Sequence, residues 1–212
     1  DNRQSLHFKQ LFNSIKFFEF NDLHHEHISY GTLNDSEGNP FKTREGGTKP
    51  LSELFDETYN YIRNINNSLS DSTITHLTNS VLTFSDLITN RKTDYKFDLE
   101  KFTNVNGKTG IYIQYSQVRA KKLKDTIDNQ KEEVKELILN KTDKQLLSKL
   151  FLFSHYLEQS ALLNEPHHLA NYLYEISNLF NQFYENEKLT SITDPNQIAS
   201  KLYIINLFLT TS

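Results

Sequence analysis

Apolar residues recur at helical spacing through most of the chain beyond residue 74, and this periodicity limits it to a mainly helical fold. Four such stripes can be followed, and two of them begin just after Pro166 and Asp194-Pro195, which are typical helix starts. Their members are Ile74, Leu77, Val81, Phe84 and Ile88; Leu146, Leu150, Phe153, Leu157 and Ala161; Leu169, Leu173, Ile176, Phe180 and Phe183; Ile198, Leu202, Ile205 and Leu209. Because the connections are short, antiparallel neighbours and a helical bundle are expected.

The first 65 residues are more mixed. Phe8, Leu11, Phe12 and Ile15 predict a helix after a cap at Ser5. Residues 27–30 alternate like a short strand, and Leu51 to Ile65 predict a second helix after Pro50. Residues 92–110 are predicted to form a long loop.

Composition excludes several classes of protein. With 212 residues, 36% of them hydrophobic and 12% aromatic, the chain can build a core without disulfide bonds or bound metal. It has no cysteine, so disulfides and cysteine-type zinc sites are excluded. No apolar run is long enough for a membrane span and no secretory signal is visible, so a cytoplasmic protein is expected. The net charge of −4 means that any nucleic-acid binding must come from a local patch.

The long loop over residues 31–47 is the first candidate functional segment. Lys42, Thr43 and Arg44 lie beside Gly46 and Gly47 among turn-forming residues. The lysine supplies a point charge, and the arginine can donate two parallel hydrogen bonds to one phosphate. The glycines give the backbone conformational freedom, so the combination is suited to binding phosphate groups. The alternative is a solvated basic loop.

A second candidate combines aromatic rings with cations. Tyr112, Tyr115 and Arg119 precede Lys121 and Lys122, and single-stranded RNA bases are read by stacking while cations hold the phosphates. The alternative is that Tyr115 belongs to the core and the lysines form a solvated face.

No metal site is expected from the histidines. His24, His25 and His27 are too close in sequence to point in one direction on a regular element. His167 and His168 fall in a first helical turn, where we expect them at the surface or facing RNA.

Three segments together resemble the C-terminal part of an arginyl-tRNA synthetase, a class I aminoacyl-tRNA synthetase. The segments are Asp1-Asn2-Arg3-Gln4-Ser5-Leu6-His7-Phe8; Tyr30-Gly31-Thr32-Leu33-Asn34 with Gly38-Asn39-Pro40-Phe41-Lys42-Thr43-Arg44-Glu45-Gly46-Gly47; and Asp94-Tyr95-Lys96-Phe97-Asp98 with Gly107-Lys108-Thr109-Gly110-Ile111-Tyr112-Ile113-Gln114-Tyr115 and Arg119. The second is similar to the signature loop of the family, and the third to the start of a DALR-type anticodon-binding domain. The His-Ile-Gly-His type motif of the first catalytic half is not present.

The resemblance implies a mainly α chain, in which a remnant of an α/β class I catalytic domain over residues 1–65 precedes a helical anticodon-binding bundle over residues 66–212. The full enzyme would join arginine to its tRNA with ATP and Mg²⁺, as a monomer. The chain by itself is expected to be an inactive fragment with no bound cofactor. The alternative is a helical protein–protein interaction module without RNA binding.

The same resemblance implies site residues. The ATP-side catalytic residues would be Lys42, Thr43 and Arg44, with His7, Gly46 and Gly47 contacting ATP and Gln4 facing arginine. The tRNA-binding residues would be Lys108, Tyr112, Gln114, Tyr115, Arg119 and Lys122.

Overall fold

The computed structural model describes residues 1–19, 23–34, 50–127, 136–186, 192 and 194–212. A 3-10 turn over Asn2–Gln4 leads into the first of the described helices. These are α1 (Ser5–Phe17), α2 (Leu51–Ile65), α3 (Asp71–Leu87), α4 (Leu99–Thr103), α5 (Gly110–Ile127), α6 (Lys141–Leu150), α7 (Phe153–Leu163), α8 (His167–Asn186) and α9 (Pro195–Thr211). Two-residue strands β1 (Leu33–Asn34) and β2 (Tyr95–Lys96) pair in parallel. The prediction of a mainly α fold is confirmed.

The larger core lies where α5, α6 and α9 pack around α8. Phe180 and Phe208 stack with their ring centroids 4.3 Å apart, and both are fully buried. The buried Tyr172 donates its hydroxyl hydrogen to the carbonyl of Leu150 at 3.2 Å, and burial raises its pKa to about 12. Aromatic side chains therefore join helices of the bundle within a core whose other buried members are aliphatic.

One ion pair lies inside this core. Lys201 on α9 donates to both carboxylate oxygens of Asp143 on α6 at 2.7 Å, and both side chains are almost fully buried. Asp143 also accepts from the backbone nitrogen of Asn140 in a capping box at the start of α6. The carboxylate thus fixes the first turn of one helix against the middle of another.

A smaller core joins α2 to α3. Its buried members are Ile62, Ile74, Val81 and Phe102, the last contributed by α4. The N-cap of α3 is Ser70, whose hydroxyl accepts from the backbone nitrogen of Thr73 at 3.2 Å. This core continues toward α5, which packs against α3 and links the two parts of the described chain.

Four local predictions were wrong. Ser5 does not cap α1, because it is the first residue inside the helix and its hydroxyl donates to the carbonyl of Asn2 at 2.7 Å. The stripe from Leu146 to Ala161 belongs to two helices, because a two-residue break at residues 151 and 152 lets α6 and α7 pack separately on α8. Residues 27–30 form no strand, since the carbonyl of Tyr30 accepts from Asn2 at 2.9 Å instead of from a ladder partner. Residues 92–110 are not one loop, because they contain β2 and α4.

No helix in the described part of the chain combines the length and the apolar character that crossing a bilayer requires.

Candidate nucleic-acid interface

One face of α5 carries the aromatic and cationic residues of the second candidate. Tyr112, Tyr115 and Arg119 are three and four residues apart and so share that face. The helix begins here because the Thr109 hydroxyl accepts from the backbone nitrogen of Tyr112 at 3.2 Å, while donating to the carbonyl of Asn104 at 2.8 Å. This cap thus joins the first turn of α5 to the preceding loop.

The side chain of Arg119 lies between two tyrosine rings. Its guanidinium carbon is 4.4 Å from the ring centroid of Tyr115 and 4.7 Å from that of Tyr184 on α8. It donates to the amide oxygen of Asn181 at 3.1 Å and pairs with Glu185 at 3.5 Å. Cation–π contacts with two rings hold the guanidinium in one orientation, while Tyr115 remains 47% exposed.

Asn181 on α8 holds this arrangement through hydrogen bonds to two residues of α5. The residue is buried, and its amide nitrogen donates to the hydroxyl of Ser116 at 2.8 Å while its oxygen accepts from Arg119. Both ends of the amide are therefore used, which sets the amide orientation. Ser116 in turn donates to the carbonyl of Tyr112 at 2.9 Å, so the network connects α8 to α5.

A second aromatic pair lies at the beginning of α5. The Tyr112 and Tyr174 rings have centroids 5.4 Å apart, and the Tyr112 hydroxyl donates to the amide oxygen of Asn178 at 3.3 Å. The ammonium of Lys108 lies 5.4 Å from the Tyr174 ring centroid and donates to Asn171. Cations and rings therefore alternate along the seam between α5 and α8.

An open cavity of about 490 Å³ adjoins this seam. Its lining combines rings, amides and one cation: Val105, Asn106, Ile111, Tyr112, Tyr115, Arg119, Asn181 and Glu185. A planar ring entering it would meet the exposed Tyr115 ring and hydrogen-bonding groups at its edges. This is the combination with which proteins bind unstacked bases.

The α8 partners were missed at the level of sequence. Tyr174, Asn178, Asn181 and Glu185 recur at spacings of four, three and four residues, opposite the apolar stripe of the same helix. That polar and aromatic stripe is a readable signal. What the spacing does not reveal is that α5 packs beside it.

The other predicted residues lie apart from the cavity. Gln114 faces α3 and lines a different, more apolar cavity of about 490 Å³ together with Ser80 and Leu173. Lys122 is exposed one turn beyond Arg119 on α5. Gln4 lies in the 3-10 turn and His7 in α1, and both are exposed.

The signature-loop residues Lys42, Thr43, Arg44, Gly46 and Gly47 lie outside the described residues. The segment just before them is held by a hydrogen bond from the backbone nitrogen of Thr32 to the carboxylate of Asp94 at 2.7 Å. That bond is the main reason why the pKa of Asp94 is lowered. It supports the parallel pairing of β1 with β2.

Family models match two consecutive parts of the chain. The model described as the catalytic domain of class I tRNA synthetases (R) matches residues 1–99, and the DALR anticodon binding domain matches residues 113–211. The division that we predicted between residues 65 and 66 stays a prediction. Tyr115 and Arg119 of the face described above lie at the beginning of the DALR match, and Tyr112 directly precedes it.

Curated relatives and solved structures agree with these models. An arginine–tRNA ligase of Francisella tularensis subsp. novicida is 36% identical over 205 residues, covering 92% of this chain and 35% of the relative. One from Shewanella denitrificans is 33% identical over 218 residues, covering 98% and 38%. The chain therefore spans about a third of the length of these relatives.

Two solved structures share the fold. Arginyl-tRNA synthetase of Thermus thermophilus superposes with a TM-score of 0.74 at 19% identity, covering 87% of this chain and 32% of that one. The enzyme of Plasmodium falciparum gives 0.69 at 22% identity, covering 99% and 37%.

Proposed function

The chain, which runs from the class I catalytic domain into the DALR anticodon-binding domain, belongs to the arginyl-tRNA synthetase family, and we propose that in a longer protein it contributes both to tRNA binding and to the reaction with ATP. Its helical part would bind the anticodon arm of the tRNA. Its first part would supply the signature loop at ATP.

The observation that carries this proposal is the orientation of Arg119 between Tyr115 and Tyr184 beside an open cavity. A base placed on the exposed Tyr115 ring would stack, and one such stack contributes roughly 1–3 kcal/mol. Lys108 and Lys122 lie where the phosphates on either side of that base could be bound. Tyr112, Tyr115 and Arg119 would contact bases, while Gln114 is less well placed because it faces α3.

On the catalytic side, arginine activation requires attack of a carboxylate oxygen on the α-phosphorus of ATP, with pyrophosphate as the leaving group. Negative charge grows on the phosphate oxygens as that bond breaks, so cations and donors aimed at them stabilise the transition state. Lys42, Thr43 and Arg44 would supply these, with Gly46 and Gly47 allowing close backbone approach. His7 would contact ATP and Gln4 the arginine, while Mg²⁺ would accompany ATP.

The chain alone is proposed to bind RNA and to catalyse nothing, because it spans only about a third of the length of its relatives. In the longer protein, a monomer in the cytoplasm remains our prediction.

The test uses the kinetics of the longer protein to separate tRNA binding from the reaction with ATP. Tyr112→Ala and Tyr115→Ala should raise KM for tRNA and leave kcat at saturating tRNA nearly unchanged. Lys42→Ala and Arg44→Ala should lower kcat and leave KM for tRNA nearly unchanged. Tyr203→Ala serves as a control, since it removes an exposed tyrosine of α9 outside the interface. If both sets changed the same parameter, this division of roles would be wrong.

A further inference from the structure

The turn between α7 and α8 brings together three potential metal ligands. The Oε2 atom of Glu165 lies 3.2 Å from Nε2 of His168 and 3.9 Å from Nε2 of His167. Ligand atoms of all three residues lie within 4.8 Å of one another, which no other group of histidine and acidic side chains achieves in the part of the chain that the structure describes. The two imidazole rings lie side by side, with centroids 4.2 Å apart.

These separations match one small ion. Zinc binds histidine nitrogens at about 2.0–2.1 Å and carboxylate oxygens at about 2.0–2.2 Å in a tetrahedron, which places ligand atoms roughly 3.4 Å apart. The two observed separations, 3.2 and 3.9 Å, lie on either side of this value. Side-chain rotations that bring all three separations, now at most 4.8 Å, to about 3.4 Å would coordinate an ion.

The backbone holds the ligands in place before any ion binds. Asn164 adopts a left-handed conformation (φ 51°) that ends α7, and the backbone nitrogen of Glu165 donates to the carbonyl of Ser160 at 3.0 Å. The Ser160 hydroxyl donates back to the carbonyl of Glu165 at 3.1 Å. Pro166 follows at once and restricts the backbone further. Glu165 is thus fixed from both sides, and the histidines lie in the first turn of α8.

A neighbouring cation orients the carboxylate of Glu165. Lys92 pairs with Oε1 of Glu165 at 2.6 Å, which leaves Oε2 directed at the histidines. A carboxylate ligand oriented by a hydrogen bond on its other oxygen is typical of metal sites.

From this geometry we propose that Glu165, His167 and His168 bind one zinc ion, with water as the fourth ligand. Two imidazoles and one carboxylate suit zinc and disfavour Mg²⁺ and Ca²⁺, which take oxygen ligands. The ion would brace the α7–α8 turn against the loop after α3, to which Glu165 is already joined through Lys92. This role does not depend on RNA binding.

The test uses the whole 212-residue chain after treatment with a chelator. Calorimetric titration should give one zinc ion per chain and no binding of Mg²⁺ or Ca²⁺, and Co²⁺ should give the visible absorption of a four-coordinate site. His168→Ala and Glu165→Gln should each weaken zinc binding by about tenfold or more. His155→Ala, which removes an exposed histidine of α7, should leave it unchanged.

Circular dichroism shows whether each variant is folded, and Glu165→Gln decides the question if His168→Ala does not fold, since it removes charge with little change of shape. The proposal is overturned if the parent chain binds no zinc, or if folded Glu165→Gln binds it as tightly as the parent. Loss of binding in His24→Gln would also overturn it, because the ion would then lie at the first histidine cluster.

Discussion

The guanidinium carbon of Arg119 lies 4.4 Å from the ring centroid of Tyr115, one turn away on the same helix. Spacing alone allows this contact, but Tyr184 on the opposite side of the guanidinium makes it rigid. Arginine in a flat, fixed orientation beside an exposed ring forms a surface on which a base can stack and donate or accept at its edge. The proposed interface is therefore largely formed in the chain alone.

Tyr115→Ala should weaken binding of a tRNA anticodon stem-loop by about 1–3 kcal/mol, roughly 5- to 150-fold, because it removes a stacking surface. Fluorescence anisotropy with labelled RNA measures this change. Tyr203→Ala is the matched control, since Tyr203 is 40% exposed against 47% for Tyr115. Equal effects of the two substitutions would show that Tyr115 has no special part in binding.

Gly110→Ala should destabilise the chain by about 1–3 kcal/mol, because the new Cβ would lie 2.4 Å from the backbone oxygen of Ser80 and force α5 away from α3. Gly107→Ala is the control, since its Cβ would meet nothing nearer than 3.3 Å, a side-chain methyl of Thr109. Urea unfolding followed by circular dichroism compares the two. A smaller loss for Gly110→Ala than for Gly107→Ala would mean that the helices do not approach as closely as described.

Arg91→Ala should cost about 1–3 kcal/mol of stability, since it leaves carbonyl groups without their donor. Arg91 donates from Nε to the carbonyl of Asn164 at 2.6 Å and from its terminal nitrogens to Ser29 and Leu163. It thereby joins the first part of the chain to the end of α7, where a cation is also favoured by the helix dipole. Urea unfolding would show this loss, and Lys9→Ala on α1 should show almost none.

Stability should fall as the pH is lowered below about 6.5, the ordinary pKa of histidine. Burial and His168 lower the pKa of His167 in the folded chain, with Lys92 and Arg91 adding to the effect and Glu165 opposing it. Below 6.5 the unfolded chain therefore binds a proton that the folded chain does not, which favours unfolding. Thermal melts between pH 7.5 and pH 5 should show a shallower decline for His167→Gln than for the parent chain. An equal decline in both would exclude His167 as the source.

Local signals in the sequence predicted some helix starts correctly, although Ser5 proved not to cap α1. Asp194-Pro195 predicted the start of α9, and the Asp194 carboxylate does accept from the backbone nitrogen of Asn196 at 3.0 Å. Such caps depend on three or four consecutive residues, so periodicity and residue type are enough to find them. The break at residues 151 and 152 was missed because the same apolar spacing continues across it.

Contacts between distant residues could not be foretold. Lys201 and Asp143 are 58 residues apart and buried together, yet each occurs in a sequence context that suits a surface residue. Likewise, α5 alone indicated Tyr112, Tyr115 and Arg119, whereas Tyr184 and Asn181 become partners only through the packing of α8. Gln114 was grouped with these residues for the same reason, whereas it lines a cavity with Ser80 on α3, 34 residues earlier in the chain.

The central claim is tested most directly by titrating this chain with an arginine-tRNA anticodon stem-loop and with the same stem carrying a scrambled loop, across a range of salt concentrations. We predict tighter binding of the native loop, with affinity falling as salt rises by a log–log slope of about −0.7 for each phosphate contact. Equal binding of the two loops, or no binding to either at low salt, would contradict the account and favour a protein-binding module.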